Sequence, residues 1–132
     1  MTDVSGLKAG LSAEATAVVD DARSAITLGS GSVPVFATPA MIALMEQAAD
    51  RCAQTELPPS SITLGTHIDV AHVAPTALGA SVTARAEITA VDGRLIRFSV
   101  TAHEGSKTIG RGTHTRMIVD RQRFLAKLGV TG

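Results

Sequence analysis

Val35-Phe36-Ala37-Thr38-Pro39-Ala40-Met41-Ile42-Ala43-Leu44-Met45-Glu46 is the stretch from which the rest of the chain is read. Proline is harmless at the first position of a helix, where its missing N–H has no partner to lose, and the threonine before it fits an N-cap. From there Met41, Leu44, Met45, Ala48, Ala49 and Cys52 recur at three- and four-residue steps. That spacing forms one apolar stripe, so it predicts a helix from Pro39 to Gln54 with one face in a core. Leu57-Pro58-Pro59-Ser60 ends it, because proline lacks the donor a helix interior needs. Glu46 sits beside the stripe, with Ile42, Ala43 and Ala49 one turn away, Asp50 the sole polar neighbour, and no Lys or Arg in pairing position. Such a carboxylate either lies at the wet edge of the helix or is kept for chemistry.

Outward from this helix the period changes from helical to two. Residues 11–19 alternate as a first strand, and residues 20–34, with Leu28-Gly29-Ser30-Gly31-Ser32, read as a mobile loop. Downstream, Ile62 to Ala74 places Ile62, Leu64, Thr66, Ile68, Val70 and His72 on one face. Ser81 to Val91 turns Val82, Ala84, Ala86, Ile88 and Ala90 inward, and Arg94 to Glu104 turns Ile96, Phe98, Val100 and Ala102 inward. Asp92-Gly93 signals a two-residue hairpin of the I′ kind, and Gly105-Ser106 turns again into a last strand, Lys107 to Val119. A short basic helix from Arg121 to Leu128 closes the chain. The expectation is an α+β domain over residues 1–132, one long helix wrapped by a curved antiparallel sheet of about five strands. A sheet edge would stay exposed, and pairing with a second copy is the usual remedy.

Bulk numbers narrow the function. Twelve basic and twelve acidic side chains balance, and three Phe with no Trp or Tyr leave little to stack on bases. Nucleic acid and anionic membranes are therefore poor partners. One cysteine excludes an internal disulfide and a Cys-based zinc cluster, and suits a reducing compartment. Met1 to Lys8 lacks the apolar core of a leader, and no run approaches a membrane span, so a cytoplasmic location is expected. His67 and Asp69 form His-x-Asp, but no third ligand has fitting spacing, so no metal is expected.

Order and spacing of the motifs resemble the hotdog fold of acyl-CoA thioesterases, more narrowly the fluoroacetyl-CoA thioesterase-like branch. The matching pieces are Val35-Phe36-Ala37-Thr38 running into Leu44-Met45-Glu46, Leu64-Gly65-Thr66 with His72 seven residues after the glycine, and Ile109-Gly110-Arg111-Gly112-Thr113-His114-Thr115-Arg116. The resemblance implies hydrolysis of a short acyl-CoA thioester in a dimer-interface cleft, with no cofactor beyond the CoA of the substrate. It implies catalytic roles for Thr38, Glu46 and His72, and acyl-side roles for Gly65 and Arg116; Phe36 is expected to touch substrate as well. A homodimer is implied, with a dimer of dimers left open. One piece departs: Ser32 stands in Gly29-Ser30-Gly31-Ser32-Val33-Pro34 where that branch carries an aromatic lid. A broader or different short acyl-CoA is therefore the substrate expected.

Each residue also has a plain structural reading. Thr38 has a full account as an N-cap, although a helix N-terminus also offers partial positive charge to an oxyanion. Glu46 is either a solvated edge or a desolvated carboxylate able to activate water or attack the thioester carbonyl. His72 is either a satisfied core histidine or the base that orients Thr38. Gly65 marks a bulge or a close approach of ligand to backbone. The glycines at 110 and 112 clear space for a ligand or for a packed neighbour, and Arg116 pairs with an acid or with CoA. A binding module using the same cleft without catalysis is the alternative. A hotdog hydratase is disfavoured, because its Gly-Asp-x-Asn-Pro-x-His pattern is absent.

Overall fold

The computed structural model describes residues 6–130, so the first five residues of the Met1 to Lys8 stretch lie outside it. The elements are β1 (Ser12–Val18), a 3₁₀ turn (Asp21–Arg23), α1 (Ala25–Leu28), α2 (Thr38–Gln54), β2 (Ser61–His72), β3 (Ser81–Asp92), β4 (Leu95–Glu104), β5 (Lys107–Asp120) and α3 (Arg121–Leu128). The five strands make one antiparallel sheet in the order β1-β3-β4-β5-β2, leaving β1 and β2 at its edges.

The sheet wraps α2 because the helix carries the apolar stripe and the strands carry the matching face. Met41, Leu44, Met45, Ala48, Ala49 and Cys52 are all buried, with Ala53 added to the stripe. Burial of a Met or Leu side chain is worth about 1.5–3 kcal/mol, so this face dominates the docking of the helix. The sheet answers with Val82, Ala84, Ala86 and Ile88 from β3 and Ile96, Phe98, Val100 and Ala102 from β4, all buried in the same cluster. Small residues keep the layers close. A Cβ at Gly110 would collide with the Met41 sulfur, so that glycine clears space for α2.

Four local expectations are corrected. In β2 the register against β5 slips between Gly65 and His67, a bulge at Thr66. Before the bulge the odd positions face the helix, and Ser61 and Thr63 are buried, while Ile62 and Leu64 are only half-buried. After it the even positions face inward, so Val70 packs on the core. A strict period of two cannot carry such a switch, because one extra residue flips every later side chain. The same event between Ile88 and Ala90 in β3 brings Val91, rather than Ala90, against the core cluster.

The β3–β4 loop is Gly93-Arg94, since Asp92 still pairs with Leu95. Gly93 has φ +60° and no non-glycine residue among those described has positive φ, the pattern of a II′ turn rather than I′. Residues 20–29 are structured by local caps, while residues 30–34 form the loop that leads to the long helix. Asp20 Oδ1 accepts from Arg23 N, Ser24 Oγ accepts from Thr27 N, and Gly29 closes α1 with φ +70°. Bridges Ser24 to Phe36 and Val35 to Ala77 then stitch the segment to its surroundings.

Candidate active site

At the mouth of α2 the N-cap position falls on Ala37, whose backbone is extended and whose side chain has nothing to offer. Thr38 is therefore the first helical residue, not the cap expected, and its hydroxyl is spared for another partner. That partner is His72, the last residue of β2, with 2.8 Å between Thr38 Oγ1 and His72 Nδ1. Phe36 is buried and meets the imidazole edge-on, ring centroids 6.4 Å apart at 81°. Burial pulls the His72 pKa below the ordinary 6.5, opposed by the Ala74 backbone, so the ring favours its neutral form. Its Nε2 is buried and finds no hydrogen-bond partner among the described residues. A cleft of about 360 Å³ opens here, with Thr38, His72, Phe36, Val35, Ala74 and Pro75 among its walls.

Two turns further along α2, Glu46 belongs to a second cluster. Its side chain keeps 42% exposure, and Oε2 stands 3.6 Å from Arg116 Nη1, the cation that local spacing did not supply. A Cβ on Gly65 would lie 2.6 Å from Glu46 Oε2, so the missing side chain makes room for the carboxylate. Arg116 is buried, which lowers its pKa, while Asp50 and Glu46 push it back up. Its Nε donates to Thr63 Oγ1 at 2.8 Å, and Nη2 donates to the Thr63 carbonyl at 3.0 Å and lies 3.5 Å from Asp50 Oδ1. Thr63 Oγ1 in turn donates to Asp50 Oδ1 at 2.9 Å. The remaining contact of Nη1 is His114 Nε2 at 3.2 Å.

The expected residues thus fall into two groups. Thr38, His72 and Phe36 come together, and so do Glu46, Gly65 and Arg116. Within one chain the two groups do not meet. Thr38 and Glu46 are separated by about 12 Å of helix axis, and Gly65 and His72 by about 23 Å of strand. The trio expected from the sequence, Thr38, Glu46 and His72, is not assembled within one chain. Both groups nevertheless face the helix side of the sheet, although Gly65 and His72 have opposite parity in β2. The bulge at Thr66 is what makes that so.

Other residues singled out in the sequence make contacts within the chain. Arg116 directs its guanidinium at protein acceptors rather than at a free phosphate path. A Cβ on Gly112 would collide with the Asp69 carbonyl and with Val70, so this glycine serves strand packing. His67 and Asp69 belong to no group of three or more metal-type ligands among the described residues. Three participants escaped the sequence reading: Asp50, Thr63 and His114. A signal for them existed, because Glu46 and Asp50 at i,i+4 are like charges on one face and call for a cation from elsewhere.

The family model described as Fluoroacetyl-CoA-specific thioesterase matches residues 19–122. A fluoroacetyl-CoA thioesterase from Streptantibioticus cattleyicolor is 44% identical over 94 residues, 71% of this chain and 68% of that protein. A solved structure of the fluoroacetyl-CoA thioesterase FlK superposes with a TM-score of 0.87 at 36% identity, covering 93% of this chain and 96% of that one. A hot-dog-like protein from Thermanaerovibrio acidaminovorans, at 19% identity, shares the fold with a TM-score of 0.82 over 92% of this chain and 90% of that one. The curved sheet around one helix is thus a hotdog fold.

Proposed function

We propose a reaction scheme from one premise: the chain belongs to the fluoroacetyl-CoA-specific thioesterase family. It is an acyl-CoA thioesterase that hydrolyses a short-chain acyl-CoA thioester to free acid and CoA. The observation that carries a site for this reaction is the Thr38–His72 hydrogen bond beside the cleft, at the N-terminus of the buried helix. A helix N-terminus favours developing negative charge, and a neutral imidazole can accept a hydroxyl proton.

In this reading the working site is composite, and a homodimer is the smallest assembly that completes it. Edge strand β2 supports this. Gly65 lies three residues before Ile68, and His72 three after Asp69. Antiparallel pairing of two β2 edges about a dyad near Ile68 and Asp69 brings His72 of one copy opposite Gly65 of the other. Thr38, His72 and Phe36 then face Glu46 and Gly65 of the partner subunit across one cleft. Glu46 takes a proton from water as the oxygen adds to the thioester carbonyl. Backbone amides near Gly65 or at the helix mouth hold the oxyanion. Collapse breaks the C–S bond, and a proton returned through the Thr38–His72 pair leaves CoA as the thiol. Glu46 can instead attack the carbonyl and expel CoA, which takes a proton from the Thr38–His72 pair, and water then cleaves the mixed anhydride to free acid and Glu46; label from H₂¹⁸O entering Glu46 in a single turnover marks that route.

Water and side chains suffice for the hydrolysis, so the scheme invokes no cofactor. With Ser32 where the branch carries an aromatic, the acyl specificity is broader than fluoroacetyl. A cytosolic setting belongs to the same reading, resting on the lone, buried Cys52. Turnover of acetyl-, fluoroacetyl- and propionyl-CoA, followed by thiol release, tests the scheme. Glu46→Gln and His72→Ala are each expected to lose about 10²–10⁴-fold in kcat. Unchanged rates in both would sink the site, and binding without thiol release would mark a cleft that only holds acyl-CoA.

A further inference from the structure

Behind Glu46 lies a layer of buried polar groups that the reaction scheme leaves without a part. His114, in the middle of β5, is 2% exposed. Its Nδ1 lies 2.7 Å from the His67 carbonyl. A carbonyl can only accept, so Nδ1 must carry the proton. The neighbour of Nε2 is Arg116 Nη1 at 3.2 Å, and a guanidinium can only donate. Nε2 must therefore present its lone pair. These two contacts fix both tautomer and charge: a neutral imidazole, protonated on Nδ1, accepting from Arg116. Phe98 stacks on the ring at 6.1 Å and 28° and holds its plane.

We propose that His114 is a positioning residue, which aims the Arg116 guanidinium at Glu46 and so fixes the carboxylate over Gly65. The inference rests on the role given to Glu46 above. Geometry supports a serial arrangement rather than a general packing role. Arg116 is anchored on one side by Thr63 and Asp50, through Nε and Nη2. Nη1 alone reaches Glu46, and His114 is the acceptor that shares it. Rotation of the guanidinium about its Nε bond would swing Nη1 away, and His114 is placed to resist that rotation. Opposite, the His114 ring comes within 3.1 Å of where a Gly65 Cβ would stand, so ring, carboxylate and glycine share one pocket.

The surrounding charges favour the neutral ring. Burial lowers the His114 pKa most, and Arg116 and His67 lower it further; the His67 carbonyl bond and Glu46 act in the opposite direction. Protonation would set a second cation against Arg116 and remove the acceptor, which breaks the aim on Glu46.

Two conservative variants separate this role from mere filling. His114→Gln keeps an acceptor near the Nε2 position, and His114→Asn keeps a donor near Nδ1 but reaches no further. With the acyl-CoA that the wild type cleaves fastest, His114→Asn is expected to lose about 10- to 100-fold in kcat at little-changed KM. His114→Gln is expected to stay within about threefold of wild type. Equal losses in both, or a loss confined to KM, overturn the inference. Side-chain ¹⁵N spectra decide independently of activity. The wild type should show a His114 ring protonated on Nδ1 only, and slowly rotating Arg116 Nη signals that average in His114→Asn and persist in His114→Gln. A doubly protonated ring at neutral pH, or Arg116 signals identical in both variants, also overturns it. Should the wild type cleave no thioester, the reaction scheme fails while the spectra still decide what His114 does for Arg116.

Discussion

Thr38 shows how one hydroxyl acquires a role by losing another. A threonine before proline at a helix start has a ready occupation as a cap, worth about 1 kcal/mol. Here the cap position slides back to Ala37, and the hydroxyl turns to His72 instead. The imidazole it meets is held below its ordinary pKa of 6.5 by burial. The sign follows directly: a lowered histidine is neutral throughout the range above 6.5 and charges only as pH falls beneath it. The competence of His72 to accept the Thr38 proton should therefore be full at neutral pH and lost on the acid side. An NMR titration of the His72 ring is expected to give a midpoint below that of a free histidine, with kcat/KM flat across neutrality. A midpoint at or above the free value would remove His72 from the proton path.

At the scale of elements, β2 has the largest consequence for the site. An unbroken strand would send Gly65 and His72 to opposite faces, because their separation is odd. The bulge at Thr66 returns both to the helix side. The two glycines of interest then make opposite predictions. Gly65→Ala meets the flexible end of Glu46, which swings aside, and presses on the His114 ring at 3.1 Å, which needs to give by only a few tenths of an ångström, so the cost to folding is modest. Its melting temperature should stay within a few degrees of wild type, while kcat falls by at least about tenfold as the carboxylate is displaced. Gly112→Ala meets the Asp69 carbonyl and Val70, backbone that cannot step aside. Its cost should appear as about 1–3 kcal/mol of lost stability in denaturant unfolding. If Gly65→Ala were the destabilised variant and Gly112→Ala the inactive one, both assignments would be reversed.

For the whole molecule the test is whether one site draws on two chains. Thr38→Ala and Glu46→Gln should each be nearly inactive as homodimers. Refolded together in equal amounts, half the dimers are mixed, and each mixed dimer carries one intact site, so about a quarter of wild-type activity should return. No return on mixing, with exchange verified, would confine the site to a single chain. Much of this was legible in the sequence. The stripe from Met41 to Cys52, the sheet around it and the thioesterase resemblance follow from period, punctuation and motif order, which are local properties. The bulges at Thr66 and near Thr89 were not legible, because an inserted residue leaves no compositional mark and only its pairing partner reveals it. The cation that answers Glu46 was not legible either, since Arg116 comes from a strand 70 positions later. The sequence by itself determined which faces are apolar and which residue types are available for acyl-CoA chemistry. Tertiary structure alone decided their company. It joined Thr38 to His72, set Glu46 with Arg116, Gly65 and His114, and kept the two groups apart, because side-chain contacts across a sheet depend on register and curvature that no single segment encodes.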